Sequence, residues 1–494
     1  MTTTGPDDRV VVIGSGPCGA AAATRLVERG VRTVLLDAGM SAPKGFVARA
    51  GGRTLFRRKS WEAYDQHRLD PASGDDVVWI SSLSLGGLSN YWTAAVPRYA
   101  PQDFVDGARI DERYRWPVGY DDLAPWYELV EGRMGLTTGE PIAGVPPGRR
   151  RHHHRLPTDW QAAAAAAASH GHGVGALPMA RGNPTMVARR NTEFSSYEAL
   201  AEPLEGAPGF QLVSGALVTR LNWSSSSGRV ASVAYVDRRS GERVEARCRA
   251  VVLAAGAIDS TAIVLRSTSS DFPTGLGNSE GLVGRYLHDH PREWWPIGLD
   301  RPMTALAHPV YVARAPHATS DPLSAASLTI GMTDSLPDRL RTFYGGRTSA
   351  FGVQVLGTMV PSPDLGVVLG RGEAARPAIH LRFDDHALAT LTSARERVRE
   401  VLGSAGVGVT VRGPFFPARP GEAVHYGGTV RMHHDPRWGV LDGWNRMHEV
   451  PNVAVVDPSS FTTGPEKNPT LTAMALAVRA ADRLADDLDQ GPLA

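Results

Sequence analysis

Two side chains near the C-terminal end carry the chemistry that most invites a functional reading. His425 opens a glycine-rich turn, His425-Tyr426-Gly427-Gly428, and Asn468 opens the run Asn468-Pro469-Thr470 ahead of a long apolar-faced stretch. An imidazole titrates near neutral pH and serves as a general base. The set suits moving a proton from an alcohol beside a bound redox cofactor. Taken singly, His425 reads as a satisfied turn histidine and Asn468 as a helix cap, so the case rests on the elements around them.

Those elements are legible. Pro451 precedes an apolar strand, Val453 to Val456, that ends on Asp457, as a cofactor-facing strand would. Asn468 is expected as the N-cap of the closing helix and Pro469 as its first residue, with Leu471, Met474, Ala475 and Val478 buried. The positive end of that helix would point at whatever lies by Asn468. A reduced flavin carries negative charge near its N1–C2=O edge and would be stabilised there.

At the other end of the chain, the run Val10 to Ile13 predicts a buried parallel strand. It leads into Gly14-Ser15-Gly16-Pro17-Cys18-Gly19, an Ala-rich helix stopping near Gly30, and a second strand, Thr33 to Leu36, closed by Asp37. Glycines at this spacing permit a tight turn and let a pyrophosphate approach the helix N-terminus, while the terminal acid suits a ribose. An acid at position 37 disfavours a 2′-phosphate, hence NADP. The turn by itself fits FAD and NAD alike.

Between the two ends the pattern is mixed. Leu85 to Thr93, after a Ser-rich strand-like segment, has adjacent Gly86 and Gly87 amid apolar and aromatic residues; alone it reads as a buried turn. Trp116, Trp126 and Tyr127 are expected in a helical cap, with Ala162 to Ala168 helical. The run Arg149 to Arg155, holding three consecutive histidines, reads as a solvated surface loop. Phe210 to Val213, Ala216 to Trp223, Val230 to Asp237 and Val244 to Cys248 predict strands of an antiparallel insertion. Ala250 to Ala255 returns to the parallel sheet, before a helix from Ile258. In His288-Asp289-His290, alternate residues on an extended segment supply at most two metal ligands, so no metal is predicted. Further strands are expected at Val310 to Ala313, Ala326 to Met332, Ser349 to Val360 and Ala378 to Phe383, then a helix from Asp385 to Leu402.

With 494 residues, two joined domains are expected. A formal net charge of +1 argues against nucleic acid or an anionic membrane as partner. Two cysteines, Cys18 and Cys248, cannot build a disulfide framework. With no secretory pattern at the start and no membrane-length apolar run, a cytoplasmic protein is expected.

Over nearly its whole length the sequence resembles the glucose–methanol–choline (GMC) family of FAD-dependent oxidoreductases. The resemblance rests on GSGPCG with Asp37, GGLSNYWT, AAGAIDS (254 to 260), VGRYLHDHP, HYGGTVRM and NPTLTAMALA, and is nearest to the pyranose-oxidase and glycoside-oxidase branch. It implies an α/β fold with a Rossmann-type FAD-binding domain (1–100, 185–293 and 421–494). A largely antiparallel sheet with helices (101–184 and 294–420) would bind substrate. It implies that His425 takes the hydroxyl proton while hydride passes to flavin N5, and that Asn468 holds the substrate oxygen. Gly14, Gly16, Gly19 and Asp37 would hold the ADP portion, Val218 the adenine side and Asp457 the ribityl side. Thr93 would lie near N5, and Gly87, Asn90, Ala255, Pro469 and Thr470 would also border the cofactor.

The sequence departs from the pattern in three places. Tyr91 stands where pyranose oxidases carry the histidine linked covalently to FAD, so non-covalent FAD is expected. His433 replaces a glycine after Arg431-Met432, and Pro458 follows Asp457 where a small residue is common. The implied function is oxidation of an alcohol on a sugar, glycoside or sugar-derived natural product, with oxygen or a quinone-like acceptor. The alternatives are a hydroxynitrile-lyase-like reaction without flavin turnover, or a non-sugar alcohol.

Overall fold

The computed structural model describes residues 2–4, 8–42, 77–180, 194–314, 325–331, 346–370, 375–413 and 418–491. Its centre is a five-stranded parallel sheet in the spatial order Val453–Val455, Ala250–Leu253, Val10–Ile13, Thr33–Asp37, Phe210–Ser214. The three inner strands are apolar and buried on both faces, as helices on either side require. Pro17–Glu28 packs on one face together with the closing helix, Thr470–Gln490. Leu471, Met474, Ala475 and Val478 are all fully buried there.

Phe210–Ser214 was expected in the antiparallel insertion; it instead pairs in parallel with Thr33–Asp37 and ends the central sheet. Ala216–Ser224, Arg229–Asp237 and Arg243–Arg247 do form an antiparallel sheet, which Thr2–Thr4 joins in parallel. Helix Ala257–Arg266 follows the return strand.

A second apolar core lies under a six-stranded antiparallel sheet ordered Val409–Val411, Arg292–Thr304, Arg347–Gly357, Ala326–Ile330, Val310–Val312, Val174–Ala176. Helices Thr158–Ser169 and Asp385–Gly403 cover it. Its longest strand, Arg292–Thr304, begins directly after His290. The expected end of a strand at Met332 lies outside the described residues. Phe104, Trp116, Tyr127 and Met134 pack into the first core, where helix Tyr120–Met134 lies against the closing helix.

Two local expectations fail. Residues 77–83, the described part ahead of the Leu85 turn, contain no strand. The Arg149 to Arg155 run is not wholly loop: His152–His153 pairs with Thr137 and Thr138, and the ring of His154 stacks on that of buried His308 at 4.4 Å. Among the described residues no helix is long and apolar enough to cross a membrane.

Candidate active site

The carboxyl ends of the parallel strands bring together residues from four distant segments: Asp457, Ala255, the Gly14 turn and Asp37. This edge is where open α/β sheets bind ligands. The three glycines have separate reasons. Gly14 has φ +96°, and a Cβ there would lie 2.5 Å from the Ala254 carbonyl oxygen. At Gly19 a Cβ would come within 1.9 Å of the Gly14 oxygen, so glycine is what lets helix and strand touch. Gly16 differs: its φ of −59° and ψ of 176° suit any residue, and among the described residues a Cβ would meet nothing within 4 Å. No contact among the described residues explains a glycine at 16, whereas a ligand lying against the backbone would. The following helix has no side-chain cap and no acid in its first turn, leaving its amides free for an anion. These features fit the pyrophosphate of a dinucleotide.

Asp37 organises this turn. Its Oδ2 accepts from the Ser15 amide and hydroxyl, each at 2.6 Å, and its Oδ1 from the Gly39 amide at 2.6 Å. Burial raises its pKa against these bonds. The Ser15 hydroxyl also accepts from the Gly86 amide at 2.8 Å, docking the 86–90 turn on the glycine loop. A Cβ on Gly87 would meet only the Gly16 Cα, at 3.7 Å. Asn90 holds this turn: Nδ2 donates to the Leu85 carbonyl at 2.8 Å, and Oδ1 accepts from the Ser195 hydroxyl at 2.8 Å. Tyr91 and Thr93 are half-buried just beyond, before Ala94 at φ 61°. Val218 lies on the strand that leaves the Gly215 turn, which bonds the Gly39 carbonyl at 2.9 Å. Asp457 accepts from the Ser260 hydroxyl at 2.5 Å and the amides of Gly256 at 3.1 Å and Ser459 at 2.9 Å.

His425 and Asn468 meet. Asn468 Nδ2 is 3.2 Å from His425 Nε2, and both side chains are half-buried. The closing helix begins at Thr470 with Pro469 as its cap residue and no side-chain cap bond. The expected capping role of Asn468 and first-turn position of Pro469 are therefore each displaced by one residue, because the carboxamide is turned to the imidazole. Pro469 is buried and Thr470 half-buried at this helix start.

The loop carrying His425 is strained. Val424 has φ 61°, unusual for a β-branched residue and worth ~1–3 kcal/mol. Asp289 holds it in place, accepting from the amides on both sides: Ala423 at 3.2 Å and His425 at 2.9 Å. Burial pushes the Asp289 pKa up to about 6. His288 is buried and its pKa falls to about 3. A Cβ on Gly427, Gly428 or Gly464 would come within 3.0 Å of its ring, so both loops close on that imidazole. His290 touches both loops as well: Nδ1 is 2.7 Å from His425 Nδ1, and Nε2 is 2.6 Å from the Pro465 carbonyl oxygen. Burial, then the neighbouring His290 and Arg292, hold the His425 pKa well below the ordinary imidazole value.

The Asn468 loop is anchored from below. Lys467 Nζ, buried, pairs with Asp103 at 2.8 Å and Glu466 at 2.7 Å. Burial opposes the charge, but these two carboxylates win and the ammonium is held protonated. Ser327, on the second sheet, donates to the Glu466 carbonyl at 2.6 Å.

The sequence alone gives no role to Ser15, Ser260 or Asp103, and offers Asp289 and His290 only as metal candidates. A serine between the glycines, and the acid between two histidines, were the available signals.

A dinucleotide cradle and a paired imidazole and carboxamide at a helix start define a flavoprotein oxidoreductase. Comparison with known proteins places it further. Family models described as GMC oxidoreductase match residues 111–292 and 369–477, and one described as FAD binding domain matches 7–66. The chain is 30% identical to 6'''-hydroxyparomomycin C oxidase of Streptomyces lividus, covering 97% of this chain and 91% of that protein. It is 29% identical to paromamine 6'-oxidase of Streptomyces fradiae, with 98% and 92% covered. It is 27% identical to C-glycoside 3-oxidase of Microbacterium trichothecenolyticum, with 97% and 96% covered. In fold it matches pyridoxine 4-oxidase from Mesorbium loti with a TM-score of 0.64 at 20% identity, over 96% and 98% of the two chains. The chain belongs to the GMC oxidoreductase family. It is an FAD-dependent oxidase or dehydrogenase acting on alcohols.

Proposed function

We propose that the protein oxidises a primary or secondary alcohol on a sugar, glycoside or sugar-derived natural product, with His425 as base. The observation that carries this is the 3.2 Å approach of Asn468 Nδ2 to His425 Nε2. A hydroxyl entering between them would give its proton to Nε2, and the carboxamide N–H would hold the oxygen as negative charge develops. A half-buried imidazole whose pKa is held below its ordinary value is neutral and a competent acceptor at neutral pH. When bound, FAD supplies the hydride acceptor. Full-length similarity to proteins named for oxidising paromamine, 6'''-hydroxyparomomycin C and C-glycosides supports a sugar-type substrate.

Gly14, Gly16, Gly19 and Asp37 would hold the ADP portion, with Val218 toward the adenine. Asp457, Ala255, Gly87, Asn90, Thr93, Pro469 and Thr470 would border the rest of FAD. Tyr91 offers no imidazole for a covalent link, which supports non-covalent FAD; flavin that stays with acid-precipitated protein would overturn this. The second core supports giving 294–420 to substrate recognition, whereas 104–136 packs with the FAD-binding core. Two buried free thiols, Cys18 and Cys248, suit a reducing cytoplasm. Oxygen or a quinone-like acceptor would complete turnover.

The test is anaerobic bleaching of the flavin by a panel of sugars, glycosides and aminoglycosides. His425→Ala should slow reduction by ~10²–10⁴-fold while FAD stays bound. Failure of every alcohol to bleach the flavin, turnover with unchanged flavin absorbance, or full activity in His425→Ala would each overturn the reading.

A further inference from the structure

We propose that His290 is a positioning residue that fixes the tautomer of His425, and with it the atom that receives the substrate proton. His290 Nε2 lies 2.6 Å from the Pro465 carbonyl oxygen, and a carbonyl only accepts. Nε2 therefore carries the ring hydrogen. The ring is 3% exposed, and burial holds its pKa down to about 4, so at neutral pH its Nδ1 is a bare lone pair. That lone pair lies 2.7 Å from His425 Nδ1. The hydrogen between the two rings must belong to His425 Nδ1. His425, also neutral, is then left with its lone pair on Nε2, the atom facing Asn468. One carbonyl, Pro465, thus sets the direction of every hydrogen in the row, and a single assignment satisfies all three contacts.

The same histidine sets the distance between the working groups. It bonds the loop of His425 on one side and the loop of Asn468 on the other. A Cβ on Gly464 would come within 3.7 Å of its Nε2, so the second loop seats directly against the ring. When His425 accepts the hydroxyl proton, the O–H bond breaks, an Nε2–H bond forms, and the Nδ1–H···Nδ1 bond to His290 becomes charge-assisted. The other tautomer would present an N–H to the substrate hydroxyl and could take no proton.

The inference rests on His425 being the base, so its test needs a readout that does not require turnover. In the resting holoenzyme with ¹⁵N-labelled histidine, long-range ¹H–¹⁵N correlation reports each imidazole tautomer, and His425→Asn identifies the His425 signals. The expectation is Nδ1–H for His425. His290→Asn places a carboxamide oxygen near the lost Nδ1, so it should keep that tautomer and remain within about tenfold of wild type in anaerobic flavin reduction. His290→Phe fills the space without an acceptor. It should lose the tautomer preference and reduce kcat ~100-fold with KM changed only a few-fold. His290→Gln, which keeps a donor toward Pro465 but withdraws the acceptor, should behave like His290→Phe and serves if that variant does not fold. Nε2–H on wild-type His425 would overturn the proposal, as would equal impairment of the Asn and Phe variants with the tautomer unchanged. If no sugar alcohol reduces the flavin, the tautomer is still read, and only the function proposed above fails.

Discussion

Gly16→Ala separates what the protein needs from what its cofactor needs. Backbone angles at Gly16 suit alanine, and the added methyl would meet no atom of the described residues within 4 Å. Removing a glycine from a compatible position stabilises by ~0.4–1 kcal/mol through the unfolded chain. The apoprotein should therefore melt at the same temperature or slightly higher. The methyl would enter open space beside the helix start, the side from which a pyrophosphate would approach. Losing one charge-assisted bond there costs about 1.5–3 kcal/mol, or roughly 10–150-fold in Kd. The stabilisation conferred by bound FAD should shrink correspondingly. The assay is a pair of melting curves, apo and with saturating FAD, beside fluorescence titration of FAD. Gly19→Ala is the control: with a Cβ 1.9 Å from the Gly14 oxygen it should destabilise the apoprotein itself. Wild-type FAD affinity in Gly16→Ala, or a destabilised apo form, would refute the argument that glycine is required there by the ligand.

Three further outcomes follow from the loops around the pair. Val424→Gly relieves ~1–3 kcal/mol of left-handed strain at φ 61° but forfeits a half-buried side chain packed on an apolar cluster and adds flexibility to the unfolded chain, so urea unfolding should show a stability change within about 1 kcal/mol, where the same substitution at an unstrained site would lose more. Lys467→Met leaves Asp103 and Glu466 buried together with Arg314, 3.9 Å from Asp103, left to offset them and should cost up to about 3–5 kcal/mol; Asp103→Asn in the same chain should restore part of it in the same assay. Acidification gives a signed test. His288 and His290, with pKa values lowered from 6.5 to about 3 and about 4, contribute stability that is complete above pH 6.5 and lost as pH falls toward those values. Asp289, raised from 3.8 to about 6, does the opposite, its contribution being complete below 3.8 and lost as pH rises through 6. Asp289→Asn should therefore steepen the loss of stability between pH 6 and 4 by up to ~1.4 kcal/mol per pH unit, read from urea midpoints.

The cofactor half of the site was legible because its signals are local. A buried strand, three glycines and a terminal acid lie within 10–37, and each glycine sits where its spacing placed it. The closing helix was legible from its apolar face. What was not legible is carried by contacts between distant segments. The bonds of His290 to His425 and to Pro465 span 135 and 175 residues. Read along the chain, His288-Asp289-His290 invited a metal question and gave no sign that two loops would close on it. Propensity alone ranks Asn468 as a cap, and only the family resemblance turns it toward the substrate. The tertiary partner outranked the local one, and Pro469 took the cap position.

The two helices that end at the site run in the same direction, and the ion pairs between them establish it. Arg25 pairs with Asp482 at 2.6 Å and Arg29 with Asp486 at 2.5 Å, and both pairs span 457 residues. Arg29 also reaches Asp482, at 2.6 Å, so the later arginine bonds both aspartates and the earlier one only the first, the order expected of helices that advance together. Their positive ends therefore face the same edge of the sheet. The sequence supplies both with what a dipole needs to act on an outside ligand: neither helix has a side-chain cap or an acid in its first turn. Two unneutralised helix starts on one edge are an arrangement suited to one extended cofactor that is anionic at its middle and, once reduced, at its far end.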